Sequence, residues 1–133
     1  MRLTTIFAAE WQVVARIDSL GRCRVREAMD ALERTDKDAH DQLIAVLDRV
    51  SRHGPRRDPR QSRHLGGAIY ELKTAKGWRL FYFFDHGRIL VCTELCRKPK
   101  ARELRELIRG AQRERREYLA ARAADAMLME DHP

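Results

Sequence analysis

Two basic side chains, Lys73 and Arg79, lie in neighbouring segments whose residue types suit the binding of an anion. The segment from Ile69 to Thr74 alternates strand-forming residues, and that from Trp78 to Asp85 is aromatic and apolar, so the two predict an antiparallel hairpin. Because successive side chains of a strand point to opposite faces, this hairpin brings both cations to one side of a sheet. Glu71 is the only evident acidic neighbour, so the pattern predicts an open, cationic sheet face that binds a polyanion.

The same face has a second interpretation, which the sequence leaves open. Arg79 and Glu71 fall on facing strands, where they would form an ion pair that serves only the structure. Phe81 and Phe83 share the face with Arg79. They are either stacking platforms for bases or, as is commoner on a central strand, part of the core.

A further group of cations lies in the polar stretch from Gly54 to Gly67, which is punctuated by Pro and Gly and which we interpret as a loop. It contains four arginines against a single acidic residue, Asp58. The loop either lies along a phosphate backbone or is an ordinary solvated basic loop, since phosphate contacts require little geometric precision. The residues that we predict to contact nucleic acid are Arg56, Arg57, Arg60 and Arg63 in this loop, with Lys76 and Lys100 beyond it.

Length and charge narrow the class of protein. A chain of 133 residues predicts one compact domain, with a core from about residue 10 to 118 and a helical extension from about 119 to 133. The net charge of +7 and the pI near 9.8 favour nucleic acid as a partner, before an acidic protein or a membrane surface. No apolar run approaches the ~20 residues that span a bilayer, and the N-terminus lacks a signal-peptide pattern, so we expect a cytoplasmic protein.

The sequence contains no convincing pattern for a metal site or for a catalytic nucleophile. Cys92 and Cys96 are four residues apart on a predicted strand and would face the same side, but a structural zinc site needs more Cys or His ligands at short spacing. The five histidines form no cluster, and there is no Gly-rich phosphate loop or Ser/His/Asp pattern. We therefore predict neither a metal nor a cofactor. With Cys23 the cysteines number three, which fits a reducing compartment.

The elements that must position these residues follow from hydrophobic periodicity and from capping residues. Apolar residues recur at helical spacing in three segments, and β-branched and aromatic residues predict one strand before the first helix and a meander of three. In chain order the predicted elements are a strand at Glu10–Ile17, helices at Arg24–Arg34 and from Thr35-Asp36 to about His53, meander strands at Ile69–Thr74, Trp78–Asp85 and Arg88–Leu95, and a helix from about Ala101 to Ala124.

This order of elements predicts an α+β fold. It is a small antiparallel sheet, mixed at the N-terminal strand, with the two N-terminal helices on one face and a C-terminal helix. The tail from Met127 onwards is expected to be frayed.

Four short stretches of the sequence resemble those of a known family. No single stretch is diagnostic, but their order and spacing together are fairly specific. They are GRCRVRE at residues 21–27, HGP at 53–55, LGGAIYELK at 65–73 and GWRLFY at 77–82. In this order the chain resembles the RelE/HigB superfamily of toxin endoribonucleases, particularly its phage-derived HigB-like branch, over about residues 10 to 118. The resemblance implies a RelE/ParE-like fold.

The resemblance also implies an activity. Such proteins cut messenger RNA on the ribosome and are neutralised by a helix-turn-helix antitoxin. The cleavage is metal-independent: the 2′-hydroxyl of the RNA attacks the neighbouring phosphate while cations stabilise the developing charge. The resemblance assigns this catalytic role to Lys73 and Arg79 on the central strands and to Arg97 and Lys98 after the last strand.

One departure from the family pattern leaves the function open. Where HigB-like relatives often carry His-Gly-Phe, this chain has Thr93-Glu94-Leu95 and so lacks a histidine for proton transfer, and Lys73 replaces an arginine. The alternatives are an active endoribonuclease and a non-catalytic member of the same fold that binds RNA, the ribosome or a protein. A module that docks another chain through the C-terminal helix is a third hypothesis.

Overall fold

The computed structural model describes residues 1–55 and 61–130, and it confirms the predicted α+β class. Over these residues the chain forms one seven-stranded sheet and three α-helices. The elements are β1 (Arg2–Ala8), β2 (Gln12–Ile17), α1 (Arg24–Thr35), α2 (Lys37–His53), β3 (Ser62–Gly66), β4 (Ile69–Lys73), β5 (Trp78–Asp85), β6 (Ile89–Arg97), α3 (Ala101–Ala123) and β7 (Leu128–Glu130), with a short 3-10 helix, Ala75–Gly77, between β4 and β5. No helix in this part of the chain is both long and apolar enough to cross a membrane.

The sheet has the strand order β3-β4-β5-β6-β2-β1-β7. The meander from β3 to β6 is antiparallel, as is the β1–β2 hairpin. In contrast, β2 pairs in parallel with β6, and β7 pairs in parallel with β1. The mixed pairing predicted for the N-terminal strand is therefore present, but the sheet is larger than predicted, by β1, β3 and β7.

Two of the additional strands, β3 and β7, have no local sequence signal. They form because a neighbouring strand of the sheet supplies their backbone hydrogen bonds. β3 lies inside the stretch predicted as a loop, and it forms the edge of the sheet beside β4. β7 lies in the tail predicted to be frayed, where Leu128 N donates to Met1 O at 2.9 Å and Glu130 pairs with Arg2 at 2.9 Å. The other predicted contacts of the loop, Arg56, Arg57 and Arg60, lie outside the described residues.

One face of the sheet is covered by α1 and α2, as predicted. Their buried apolar residues recur at helical spacing and pack on β2, β4, β5 and β6. Asp36 caps α2 by accepting a hydrogen bond from Ala39 N at 3.2 Å. Gly54 ends the helix with a φ of 81°, and the Trp11 ring packs where a side chain would begin.

The other face of the sheet is covered by α3. Ala111 and Tyr118 of this helix pack against Ile69 and Phe83, among other residues of this face. Phe83 and its strand neighbour Phe81 are both buried. They are therefore core residues, and the alternative that they stack on bases is excluded by their burial.

A β-bulge in β6 shifts the alternation of its side chains between the two faces of the sheet. Two consecutive residues of β5 pair with Cys92 and Glu94, so Thr93 is an extra residue in the ladder. Cys92 consequently packs in the core under α1 and α2, whereas Cys96 lines the space beneath α3. The prediction that these cysteines face the same side is wrong, because the alternation of side chains does not continue through an inserted residue.

Candidate functional site

Lys73 and Arg79 are direct cross-strand partners at the end of the β4–β5 hairpin. Partners of this kind hold their Cβ atoms about 4.5–5.5 Å apart. Both side chains belong to the face that carries α3, because Leu72 and Leu80, the next residues along each strand, are buried in the core under α1 and α2. The shared face predicted from strand alternation is therefore present.

The Glu71 carboxylate lies beside the Arg79 side chain. Glu71 is only 3% exposed, and its Oε1 lies 3.7 Å from Arg79 Nε and 3.4 Å from Arg63 Nη2. Arg79 Nη1 also donates to Trp78 O at 3.1 Å. The structural ion pair that the sequence left open is thus formed, although Glu71 Oε1 accepts no hydrogen bond among the described residues. The hydrogen bond that positions the Arg79 guanidinium is the one to Trp78 O.

This face is not the open surface that the sequence predicts. The helix α3 lies over it, because the apolar residues of the face and the apolar stripe of α3 bury each other. On this face the Arg79 side chain is 12% exposed and Lys73 is partly buried, while Arg63 is exposed on the edge strand. Within the described residues, Lys73 forms no ion pair.

Arg97 and Lys98 lie at the same end of the sheet. Lys98 N donates to Gly77 O at 2.6 Å, and the exposed Lys98 side chain lines the cleft between β6 and α3. The Arg97 guanidinium lies over the Trp78 ring, 5.3 Å from its centroid. All four cations assigned to phosphate chemistry lie at one end of the β4–β5–β6 ladder, but they do not share one face. Trp78 packs against the core under α1 and α2, so the Arg97 guanidinium lies on the side of the sheet opposite to Lys73 and Arg79.

Lys76 and Lys100 are placed differently from this group. Lys76 Nζ lies 3.2 Å from Asp36 Oδ1 and 3.8 Å from Asp38 Oδ2, at the start of α2. Its charge is therefore directed towards two carboxylates on the opposite side of the sheet. Lys100 is exposed at the residue before α3.

A cleft of about 570 Å³ separates β6 from the first half of α3, and Glu114 lines it. This residue is 7% exposed, and its Oε2 has no hydrogen-bond partner among the residues that the structure describes. Burial raises the pKa of Glu114 to about 7; the positive charges of Arg24 and Arg16 oppose the rise, and the carboxylates of Glu117 and Glu94 add to it. A buried carboxyl in a cleft with a pKa near neutrality is a candidate for proton transfer.

Glu94 lines the same cleft and is directed there by the bulge at Thr93. Burial raises its pKa, and Arg24, with Nη1 at 3.9 Å from Oε2, opposes the rise. Glu94 is two residues along β6 from Cys96, the cross-strand partner of Arg79. The segment Thr93-Glu94-Leu95, where the resemblance leads one to expect a histidine, therefore supplies a carboxyl group on the face that carries Lys73 and Arg79.

Sequence reasoning missed both carboxyl groups, although each had a signal. Glu114 occupies a position in the apolar stripe of α3, between Ala111 and Tyr118, where helical periodicity predicts a buried residue. An ionisable residue at a helix position where the period predicts an apolar one indicates a buried carboxyl group. The signal for Glu94 is the break in alternation along β6.

The cysteines do not provide a nucleophile. Burial raises the pKa of the Cys96 thiol to about 11, and it also raises the pKa values of Cys23 and Cys92. A thiol with a raised pKa carries little thiolate at neutral pH, which is the reactive form. In the parts of the chain that the structure describes, no group of three or more His, Cys, Asp or Glu side chains is arranged to hold a metal ion.

Comparison with known proteins gives a family. Residues 30–116, more than half of the chain, match the sequence model of the family described as Phage derived protein Gp49-like (DUF891). This family is associated with toxin-antitoxin-type proteins. The matched range includes α2, the whole meander and the first two thirds of α3. No curated protein matches the sequence.

Proposed function

Because the chain belongs to the Gp49-like family of phage-derived proteins, we propose that it is a toxin of the RelE/HigB kind, an endoribonuclease that cleaves messenger RNA on the ribosome. In this proposal a helix-turn-helix antitoxin neutralises it, and the protein acts in the cytoplasm. The observation that carries the proposal is the cross-strand pair of Lys73 and Arg79 on one face, with Lys98 and Arg97 at the same end of the sheet.

Lys73 and Arg79 suit the stabilisation of a phosphate under attack. When a 2′-hydroxyl attacks the neighbouring phosphorus, negative charge accumulates on the phosphoryl oxygens before the 5′-oxygen leaves. Arg79 lies beside Glu71 and is hydrogen-bonded to Trp78 O, so its donors are oriented before the RNA binds. Lys73, which has no ion pair within the described residues, supplies a charge that the phosphate itself neutralises.

We assign proton transfer to Glu94. The attacking 2′-hydroxyl must lose a proton and the leaving 5′-oxygen must gain one, and both steps favour a group whose pKa lies near the working pH. Burial raises the pKa of Glu94 in this direction. Products with a 2′,3′-cyclic phosphate and a 5′-hydroxyl are expected, because the 2′-oxygen bonds to a phosphorus that stays attached to the 3′-oxygen of the same ribose while the bond to the 5′-oxygen breaks.

Expression of the intact chain in a bacterial cell tests the proposal, with growth and new mRNA ends measured together. We expect growth arrest and new 5′ ends in translated messages. Lys73→Ala is expected to lower the cleavage rate by about 100-fold, the effect of removing one transition-state donor. The matched control is Lys37→Ala, which removes the same charge from the exposed start of α2. Unimpaired growth at good expression of the folded chain would refute the proposal.

A second candidate function is favoured by the burial of Arg79. With 12% of its side chain exposed and a carboxylate already beside it, this face would also suit a non-catalytic protein that binds RNA or the ribosome through Lys98 and Arg63. Such a protein would bind RNA with an affinity that falls as salt increases. It would leave no new mRNA ends, which separates it from the nuclease.

A further inference from the structure

A groove of about 540 Å³ lies on the opposite face of the sheet, beyond the C-terminal end of α2. This volume is within the roughly 300–1,000 Å³ range of ligand-binding pockets. Aromatic rings dominate its lining. The rings that line it include Trp11, His64, Tyr70, Tyr82 and Phe84.

Three neighbouring strands supply a continuous stack of rings to this groove. The centroid of the Tyr70 ring lies 4.9 Å from those of His64 and Phe84 and 5.5 Å from that of Tyr82. Tyr82 is buried and anchored, because its hydroxyl is hydrogen-bonded to Ser62 Oγ at 2.9 Å. Phe84, in contrast, is 43% exposed, so the stack ends in a ring that is open to a further planar group.

The composition of the lining favours a base over an apolar peptide. Among the described residues that line the groove there is no Leu, Ile, Val or Met, the side chains that usually receive an amphipathic helix. There is also no Asp or Glu among them, whereas Arg63, His53 and His64 are present. An aromatic surface with basic neighbours and no acidic ones is the combination that binds unpaired nucleotides.

Arg63 connects this groove to the cationic face. It lines the groove, yet its guanidinium lies 3.4 Å from Glu71 on the side of the sheet that carries α3. Arg63 belongs to β3, which is the edge strand, and neighbouring strands are only about 4.8 Å apart. A single-stranded RNA that passes over this edge can therefore reach both faces.

We propose that the groove between Trp11 and Phe84 is a subsite for an unpaired base of the RNA whose backbone is bound at Lys73 and Arg79. The inference rests on the RNA-binding part of the proposed function. It adds a specificity element on the far side of β3, distinct from the phosphate-binding cations. Purine bases, which present the larger ring surface for stacking, are the expected preference.

The test is binding of a labelled six-nucleotide 2′-O-methyl oligoadenylate to the full chain, measured by fluorescence anisotropy. The methyl group blocks attack by the 2′-oxygen, so the probe stays intact. The matched probe is an abasic oligomer with the same phosphates. We expect Phe84→Leu, which keeps an apolar side chain but removes the ring, to weaken binding of the oligoadenylate by about 5- to 150-fold. It should leave binding of the abasic oligomer unchanged.

Lys73→Ala and Leu20→Ala separate the possible outcomes. Lys73→Ala should weaken binding of both probes, and Leu20→Ala, at an exposed residue on another surface, should weaken neither. The oligoadenylate should also quench tryptophan emission in the intact chain and lose much of this effect in Trp11→Phe. Binding of both probes that responds to Lys73→Ala but not to Phe84→Leu would overturn the subsite and leave the proposed function standing. Absence of any RNA binding would overturn both.

Discussion

Replacement of Glu114 by glutamine is the sharpest test of the buried charge beneath α3. The side chain is 7% exposed, its Oε2 has no hydrogen-bond partner in the described structure, and burial raises its pKa to about 7. The groups that face it are Arg24 on α1, Arg16 on β2, Glu94 on β6 and Glu117 on its own helix. The two arginines do not compensate fully for the loss of hydration, so the ionised form of Glu114 destabilises the fold.

The size and sign of the effect follow from linkage. A pKa that rises from the ordinary 4.5 to about 7 on folding corresponds to roughly 3 kcal/mol, at 1.36 kcal/mol for each pKa unit. The folded state binds the proton more tightly than the unfolded state. The contribution of Glu114 to stability is therefore fully present below pH 4.5, and it is lost as the pH rises to about 7. Above that pH the folded protein carries the whole cost of the buried charge.

Glutamine removes this titration while keeping the shape of the side chain. We expect the difference in the free energy of unfolding between Glu114→Gln and the parent to increase by about 3 kcal/mol in favour of the variant between pH 4.5 and pH 8. Urea denaturation at a series of pH values measures it. Any constant offset from the new amide cancels in the pH dependence. Glu106→Gln, an exposed position on the same helix, is the control and should show no such dependence.

Two results would contradict this reasoning. A difference between Glu114→Gln and the parent that does not change with pH would mean that the carboxyl titrates alike in the folded and unfolded states. A variant that becomes less stable as the pH rises would mean that Arg24 and Arg16 form a net stabilising pair with the ionised form. In either case Glu114 would lose its standing as a candidate for proton transfer.

Three further changes test packing and capping by urea denaturation. Ser62→Ala removes the partner of the buried Tyr82 hydroxyl at 2.9 Å and should cost about 1–3 kcal/mol; a second change, Tyr82→Phe, should recover much of this loss, and no recovery would argue against the hydrogen bond. Gly54→Ala should cost about 1–3 kcal/mol, because φ is 81° and ψ is 171°, a conformation that is almost restricted to glycine, and the new Cβ would lie 2.9 Å from Trp11 Nε1; a neutral result would mean that this turn can relax. Asp36→Ala should lower the free energy of unfolding by about 1 kcal/mol through loss of the α2 cap. Asp36→Asn keeps a capping oxygen and should retain most of that stability.

The helices and the meander are predictable from sequence because their signals are local. The helical period and the caps at Asp36 and Gly54 define α2 to within a residue or two, and alternation defines the hairpin that pairs Lys73 with Arg79. β3 and β7 are not predictable in this way, because both are strands at the edges of the sheet. Their backbone hydrogen bonds are supplied by β4 and by β1, and β1 is distant from β7 in sequence.

The burial of the candidate site also depends on segments that are distant from it in sequence. Alternation along β4 and β5 predicts that the cations share a face, but it carries no information about what covers that face. The amphipathic helix α3 docks where Ile69 and Phe83 need an apolar partner, and it covers part of the face to which Arg79 belongs. The predicted open surface fails for this reason, although the residues predicted to form it are correctly placed.

The phase of β6 explains why a carboxyl group faces these cations at all. If the strand alternated without interruption, Cys92 and Glu94 would point to the same side, and the carboxylate would lie in the apolar core beneath α1 and α2. Burial of an unpaired charge there would cost several kcal/mol. The extra residue, Thr93, returns the next apolar residue, Leu95, to that core and directs Glu94 to the face beneath α3. The sequence therefore requires the bulge for packing, and the same bulge places a titratable group two residues from the partner of Arg79.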